Sequence, residues 1–360
     1  MSLIQCNPSG FEVQRGLNLS HWFSQDFGWA TRDSWIGEED IRFIAGQGFD
    51  HIRIPLDERE LWLPSGQLNE PELSRLLRAI DWARQAEMRT IVDLHTLNSH
   101  HFNAKNEEGL INTLWSDPAE QQHFIDLWRD LSARLGHLPV DCLAYEILNE
   151  PLADRHDQWN DLIAATLDDL RPDEPERVII LGGNMQQIPE TLPALAVPAG
   201  DPNIILSFHT YAPMLLTHYR AHWTPLKLYT GPVHYPGPIV GEGDYARLMN
   251  DPDPRLIELA EDASEDWGAT RLRQKIDPAV RRARELGLQL YCGEFGCLPS
   301  APRGCRLAYM RDIISVFESE GIAWASWEYK GEFGIYEWLD DSLSCGPLDN
   351  ELLGSLMQQR

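Results

Sequence analysis

A chain of 360 residues that is 43% hydrophobic holds enough apolar material for a sizeable core, as one large α/β barrel or two smaller domains. Its 56 acidic residues against 30 basic give a net charge of −26, which repels phosphate backbones and anionic lipid surfaces and argues against nucleic-acid or membrane partners. No apolar run approaches the roughly 18 residues needed to span a bilayer, and the charge suits a neutral ligand.

In chain order, Phe11–Ser20 reads as a first strand in which Gly16 permits close packing. A loop with His21, Trp22, Trp29 and Trp35 follows. Residues 37–45 open a helix with acids in its first turn, as the helix dipole prefers, and Gly48 ends it. Asp50–Pro55 is a second strand, 70–87 an amphipathic helix and Arg89–His95 a third strand. Residues 96–117 form a polar loop with Asn98, His100, His101 and Asn103. Helical periodicity returns over 118–136, where Phe124, Leu127, Trp128 and Leu131 share a face. Cys142–Asn149 is the fourth strand, 156–170 a helix, Arg177–Gly183 the fifth strand and Asn203–His209 the sixth. A Pro- and aromatic-rich stretch without clear period runs from about 212 to 267 and is expected to be a functional loop insertion. The chain closes with a helix over 269–286, a seventh strand Leu288–Gly293, a helix over 302–320, an eighth strand Ile322–Trp327 and a terminal helix over 347–358.

Short, wholly apolar strands alternating with helices mark a parallel sheet covered on both faces. Eight such units predict an α/β fold, a (β/α)8 TIM barrel, as a single domain over 1–360. There is no linker, low-complexity segment or internal repeat. The segment Met1–Cys6 has no basic region followed by an apolar stretch, so a cytoplasmic location is expected, with secretion the alternative if a leader has been removed. The six Cys residues form no zinc-type spacing. Cys142 and Cys292 read as small hydrophobes in strands, and Cys297 and Cys305, though near enough in sequence to bridge, are expected to be reduced thiols.

The chemistry concentrates in two stretches, Tyr145-Glu-Ile-Leu-Asn-Glu-Pro151 and Tyr291-Cys-Gly-Glu-Phe-Gly296. Each is an apolar run that ends in a carboxylate beside a chain-turning residue, which exposes Glu150 and Glu294 at the C-terminal ends of strands. Catalytic groups of α/β barrels sit at that end. Two carboxylates delivered there suit hydrolysis of a glycosidic bond, which needs a proton donor and a nucleophile or base. Arg53, His95, Asn149, His209, Tyr211 and Trp327 fall at or just past the same strand ends. Any one of them alone reads as structural, but eight polar or aromatic groups at one rim are costly to bury without purpose.

These positions together closely resemble glycoside hydrolase family five, the cellulase-type branch of a clan with catalytic acids on barrel strands four and seven. Asn149-Glu150-Pro151 is similar to its acid/base motif and Gly293-Glu-Phe-Gly296 to its nucleophile motif. Arg53 in Arg-Ile-Pro, His95 in Asp-Leu-His, His209 and Tyr211 in His-Thr-Tyr, and Trp327 complete the resemblance, which runs from Arg15-Gly-Leu-Asn18 to Trp327-Glu-Tyr-Lys330. It implies a retaining β-glycosidase in which Glu294 attacks the anomeric carbon and Glu150 is acid and then base. Arg53 and Tyr211 would hold Glu294, Asn149 would bind the sugar 2-hydroxyl, His95 and His209 would bind substrate or orient the carboxylates, and Trp327 would floor the ring. The pKa of Glu150 is expected to be raised by the charge of Glu294.

The expected substrate is a neutral β-linked glucan cut internally. An exo-acting β-glucosidase or exo-1,3-glucanase and a mannanase are the alternatives, and a carbohydrate-binding protein on an inactivated barrel is the non-enzyme one, against which both Glu residues argue. No cofactor is expected, and no metal: no carboxylate or Cys spacing completes a site around His95, His100 and His101. Glu146 shares strand parity with Glu150 and is expected to point inward in an ion pair. Glu328 has two readings, a sugar contact or a solvated rim. Trp22, Trp223 and Trp267, among 13 Trp in all, are weighed equally as sugar platforms and core. No pattern specifies an oligomeric state.

Overall fold

The computed structural model describes residues 7–25, 32–104, 112–339 and 345–357. Cys6, Trp29 and the last residue expected in the terminal helix lie outside the described residues. Eight short buried strands, β1 (Arg15–Asn18), β2 (His51–Asp57), β3 (Arg89–Thr96), β4 (Leu143–Glu146), β5 (Val178–Gly182), β6 (Ile204–His209), β7 (Gln289–Glu294) and β8 (Ala323–Ser326), pair in sequence order. Every neighbouring pair is parallel, and β8 closes on β1 with Arg15 opposite Trp324 and Leu17 opposite Ser326. The eight expected strands are thus the staves of a (β/α)8 barrel forming one domain.

Successive side chains of a strand face opposite ways, and here that alternation builds two floors inside the barrel. Ile91, Ala144, Ile180, Ile205, Tyr291 and Ala323 pack inward with Phe11 and Val13 as a separate apolar cluster. Two residues further along the same strands, the same inward parity carries Asp93 and then His95 on β3, Glu146 on β4, and Ser207 and then His209 on β6, all buried. The barrel is therefore apolar at one end and ionisable at the other. Residues of opposite parity, such as Val92, Tyr145, Leu181 and Phe208, join the larger cluster beneath the helices.

The helices that cover the barrel between and after its strands include Glu38–Gly46, Glu70–Gln85, Pro118–Leu135, His156–Leu170, Ala269–Leu286, Arg303–Glu320 and Asn350–Leu356, with single-turn helices at Arg32–Trp35 and Glu58–Leu61. Their ends are chemically marked. Asp117 accepts a hydrogen bond from the Ala119 N–H where one begins at Pro118, and Gly287 and Gly321, at φ of 68° and 71°, end the two that precede β7 and β8.

Three regions depart from the expected pattern. Between β5 and β6 the cover is a six-residue 3-10 helix, Pro189–Ala194, because Pro189 and Pro193 lack the N–H groups that a longer helix needs. The stretch expected as a loop over 212–267 contains helices Met214–Thr217, Glu242–Leu248 and Pro254–Ala260, each too short to show a period. Its Leu226, Val233, Ile239 and Trp267 are buried in the main core. Beyond β8, Tyr336–Trp338 and Cys345–Leu348 form an unanticipated antiparallel pair. Cys142, Cys292, Cys297, Cys305 and Cys345 are free thiols, as expected for the Cys297 and Cys305 couple.

At the apolar end, Arg177 ties the barrel to its cover. It is fully buried, donates through Nε to Glu174 Oε2 at 2.9 Å and through its Nη atoms to the carbonyls of Leu138, Pro139 and Leu143, and lies over the Tyr145 ring. Tyr145 and Ser132 complete the cage by donating to Glu174 Oε1. Arg177→Ala strands a buried carboxylate, and urea unfolding is expected to show a loss of about 3–5 kcal/mol. The turnover per folded molecule should hold, since the cage lies at the far end from the polar floor; a loss below about 1 kcal/mol would contradict this reading.

Candidate active site

Strands β1, β2, β3, β4 and β7 converge on one guanidinium. Arg53 is wholly buried, and its Nε donates to Glu146 Oε2 at 2.6 Å. Nη1 donates to Asn18 Oδ1 and Glu294 Oε1, both at 2.9 Å, and Nη2 to Asn149 Oδ1 at 3.0 Å. Nη2 also stands 3.4 Å from Asp93 Oδ2. All five donors of the side chain thus face acceptors.

Glu294 ends β7. Arg53 takes its Oε1, and the Tyr211 hydroxyl donates to its Oε2 at 3.0 Å. A register shift between β6 and β7 sets His209 opposite Glu294, a device that re-aims side chains beside sites. Gly293 makes room for this, since a Cβ there would stand 2.8 Å from His209 Nε2.

The chain leaves β4 after Glu146, and Glu150 takes a left-handed φ of 45°. Three hydrogen bonds hold this turn: Asn149 N–H to Leu94 O at 2.9 Å, Glu150 N–H to Gln187 Oε1 at 2.9 Å, and His100 Nε2 against Glu150 O at 3.2 Å. His209 Nδ1 lies 3.0 Å from Glu150 Oε1 and 3.7 Å from Glu294 Oε2. One oxygen of each carboxylate and one nitrogen of His209 all fall within 4.8 Å of one another. Among the described residues this trio has donor spacing for a metal ion, although glycoside hydrolysis by paired carboxylates requires none.

His95 completes the floor. Its Nδ1 is 3.0 Å from Asp93 Oδ2, and its ring stacks on Trp327 at 5.5 Å with the planes 6° apart. Trp327, just beyond β8, packs with Ala221, Leu298 and Phe333, flanked by Tyr211 and Trp223. Beside the site, a cavity of about 220 Å³ is lined by Arg59, Thr96, Leu97, Asn98, His100, His101 and Asn112.

The structure therefore gathers Glu150, Glu294, Arg53, His95, Asn149, His209, Tyr211 and Trp327 at one end of the barrel. Glu146 points inward and pairs with Arg53, as its parity indicates. Glu328 is not a solvated rim residue: it is buried, bonded to Ser20 Oγ and 3.3 Å from His21 Nε2, because the chain turns inward after Trp327. Trp22 and Trp267 are core, each donating its indole N–H to a backbone carbonyl, whereas Trp223 stays at the rim beside Phe333. Sequence reasoning passed over Asn18, Asp93 and Gln187. The parity of Asp93 with His95 and the strand-end position of Asn18 were available signals; none pointed to Gln187.

Charge balance in this floor is lopsided. Asp93, Glu146, Glu150 and Glu294 surround one permanent cation, and burial drives both histidines toward neutrality, His95 to about 4 and His209 well below its usual value. Burial raises Glu150 well above the ordinary carboxyl range, and the negative charge of Glu294 adds to it. The direction matches expectation, but desolvation, not Glu294, is the larger cause. Burial also raises Glu294, with Arg53 opposing it most strongly and the Tyr211 hydrogen bond helping. Glu150 is accordingly the member of the pair that keeps a proton. Asp93 is pushed up to about 7, chiefly by burial.

The chain matches the family model described as cellulase (glycosyl hydrolase family 5) over residues 6–332. It is 30% identical to endoglucanase C of Acetivibrio thermocellus across 96% of this chain and 98% of that one. It is 27% identical to cellodextrinase A of Ruminococcus flavefaciens across 86% and 84% of the two chains. Its fold is like that of Thermotoga maritima Cel5A solved with cellobiose, at a TM-score of 0.72 and 22% identity, covering 99% of each chain.

Two titrations test the electrostatics. In Glu294→Gln the pKa of Glu150, followed by carboxyl infrared or 13C NMR, is expected to fall, yet to stay above the usual range because burial remains; no fall would remove Glu294 as a cause. Asp93 releases its proton near 3.8 when unfolded and near 7 when folded. Its contribution is full below 3.8 and is lost as the pH rises through that window. Asp93→Asn should flatten the decline of the urea midpoint between those two pH values, and parallel curves for the two proteins would contradict the assignment.

Proposed function

Because the chain belongs to glycosyl hydrolase family 5, the cellulase family, we propose that it cleaves β-linked glucan internally by double displacement, with retention at the anomeric carbon. The observation that carries this is the approach of Glu150 and Glu294, whose nearest oxygens lie within 4.8 Å. Retaining pairs stand about 5–5.5 Å apart, whereas inverting pairs leave about 6.5–9.5 Å for a water.

Glu294 is the nucleophile. Its Oε2 or Oε1 forms a bond to the anomeric carbon as the glycosidic C–O bond breaks, and Glu150 gives its proton to the departing oxygen. A water then gives a proton to Glu150 and attacks the same carbon, releasing Glu294 as carboxylate. Each environment suits its part: the Arg53 and Tyr211 contacts favour ionised Glu294, and burial next to a negative neighbour favours protonated Glu150. Arg53 engages the Oδ1 of Asn149, which leaves Nδ2 for a sugar 2-hydroxyl. Asp93 engages the Nδ1 of His95, which leaves Nε2 for substrate. Trp327 supplies an aromatic floor, and His209 orients Glu150. A strongly acidic chain suits a neutral sugar polymer.

A second reading, action on short chains from one end, draws support from the folded insertion over 212–267, which brings Trp223 against Phe333 beside Trp327, and from the likeness to a cellodextrinase. Product analysis on cello-, laminari-, mixed-linkage and manno-oligosaccharides separates the two. Internal fragments of cello-oligosaccharides are expected, falling about 100-fold or more in both Glu150→Gln and Glu294→Gln. Release of single sugars from one end would establish the exo reading, and undiminished cleavage in either variant would overturn the roles given to the two carboxylates.

A further inference from the structure

The connection after β5 holds a feature that the reaction described above does not use. Met185, Gln186 and Gln187 are consecutive non-glycine residues with φ of 55°, 59° and 56°. L-residues rarely adopt this conformation even singly, and such strain persists only where surroundings over-determine it. The surroundings here are functional groups. The Gln187 side chain is fully buried; its Oε1 accepts from the Glu150 N–H at 2.9 Å and its Nε2 donates to Glu146 Oε1 at 3.0 Å. Its main-chain carbonyl accepts from the His209 N–H at 2.9 Å. One amide thus spans from the backbone of one carboxylate to Glu146, whose other oxygen takes Arg53 Nε, and Arg53 Nη1 reaches Glu294. Hydrogen bonds link Glu150 to Glu294 without a break. The preceding residue, Gln186, is tied down by its own Nε2, which donates to Phe102 O at 3.2 Å.

An independent observation shows that the barrel makes space for this side chain. Gly182 ends β5, and a Cβ there would stand 1.9 Å from Gln187 Nε2 and 2.4 Å from its Cδ. Any larger residue would push the amide out of its place between Glu146 and Glu150.

We propose that Gln187 is a positioning residue for the proton-transfer step, locking the left-handed backbone at Glu150 against the Arg53–Glu146 pair so that the Glu150 carboxyl points at the departing oxygen. Gln187 touches no substrate; it acts through Glu150. The inference rests on Glu150 being the general acid. Its signature is a dependence on the leaving group, since an aglycone that departs readily as an anion needs little protonation, whereas a poor one needs the acid in place.

The test compares kcat/KM for phenyl and 2,4-dinitrophenyl β-cellobiosides in the wild type, Glu150→Gln, Gln187→Leu and Gly182→Ala, with circular dichroism to confirm the fold. Gln187→Leu removes both side-chain hydrogen bonds, and Gly182→Ala displaces the amide without deleting it, so either variant carries the test if the other fails to fold. Each is expected to slow the phenyl substrate about 10-fold or more and the dinitrophenyl substrate less than about 3-fold, the pattern of impaired acid catalysis. Equal loss on both substrates, or loss on neither, would overturn the assignment of Gln187 while Glu150→Gln still shows the split. Absence of the split in Glu150→Gln itself would remove the acid role of Glu150 and the inference with it.

Discussion

A guanidinium taken wholly out of water dictates the arrangement of everything around it. Removing a charge from solvent is costly unless it is paired and each of its donors is met. Arg53 meets that condition only because four other strands deliver acceptors to it: Asn18 from β1, Asp93 from β3, Glu146 and Asn149 from β4 and beyond, and Glu294 from β7. A planar fork with fixed donor directions tolerates little error in where those acceptors stand. The barrel's closure and the placement of the nucleophile are thus a single geometric condition.

The same cluster is deliberately short of positive charge. One cation serves four carboxylates, while His95 and His209 are too desolvated to contribute charge. Protons must therefore stay in the floor, and local contacts decide where. Glu294 has both oxygens engaged, by Arg53 and by Tyr211; Glu150 has His209 and lies in the field of Glu294. Two chemically identical side chains acquire opposite protonation preferences from neighbours a few ångströms apart, which is the asymmetry that acid and nucleophile require.

Around this floor the outer layer is uneven. Among the described residues an α-helix of seven residues or more follows every barrel strand except β5, after which comes only a short 3-10 helix, interrupted by prolines. It is there that the backbone turns left-handed through Met185, Gln186 and Gln187 and sends an amide inward between Glu146 and Glu150. After β6 the insertion does the reverse, adding buried apolar residues to the core and carrying Trp223 to the rim.

How much of this was readable in advance follows from the range of each interaction. Strands appear as apolar runs, and their functional ends as a polar residue before Pro or Gly, so Asn149-Glu150-Pro151 and Gly293-Glu294 stand out in the chain, as do Arg53 before Ile54-Pro55 and His209 in its His-Thr-Tyr setting. Alternation along a strand also foretold that Glu146 faces inward. These are local properties, set by backbone geometry within a few residues, and the amino-acid sequence by itself determined them: eight strands, one barrel, and the eight groups at its polar end. Tertiary structure alone decided which groups touch. Arg53 and Glu294 are 241 residues apart, and Gln187 and the Glu150 backbone 37. Gln187 lies in no periodic segment, and its inward direction depends on three left-handed residues and on the space at Gly182. The order of causes that raise Glu150 likewise depended on how deeply the closed barrel buries it. Hydrogen bonds and desolvation act over a few ångströms, and only the closed fold brings distant segments within that reach.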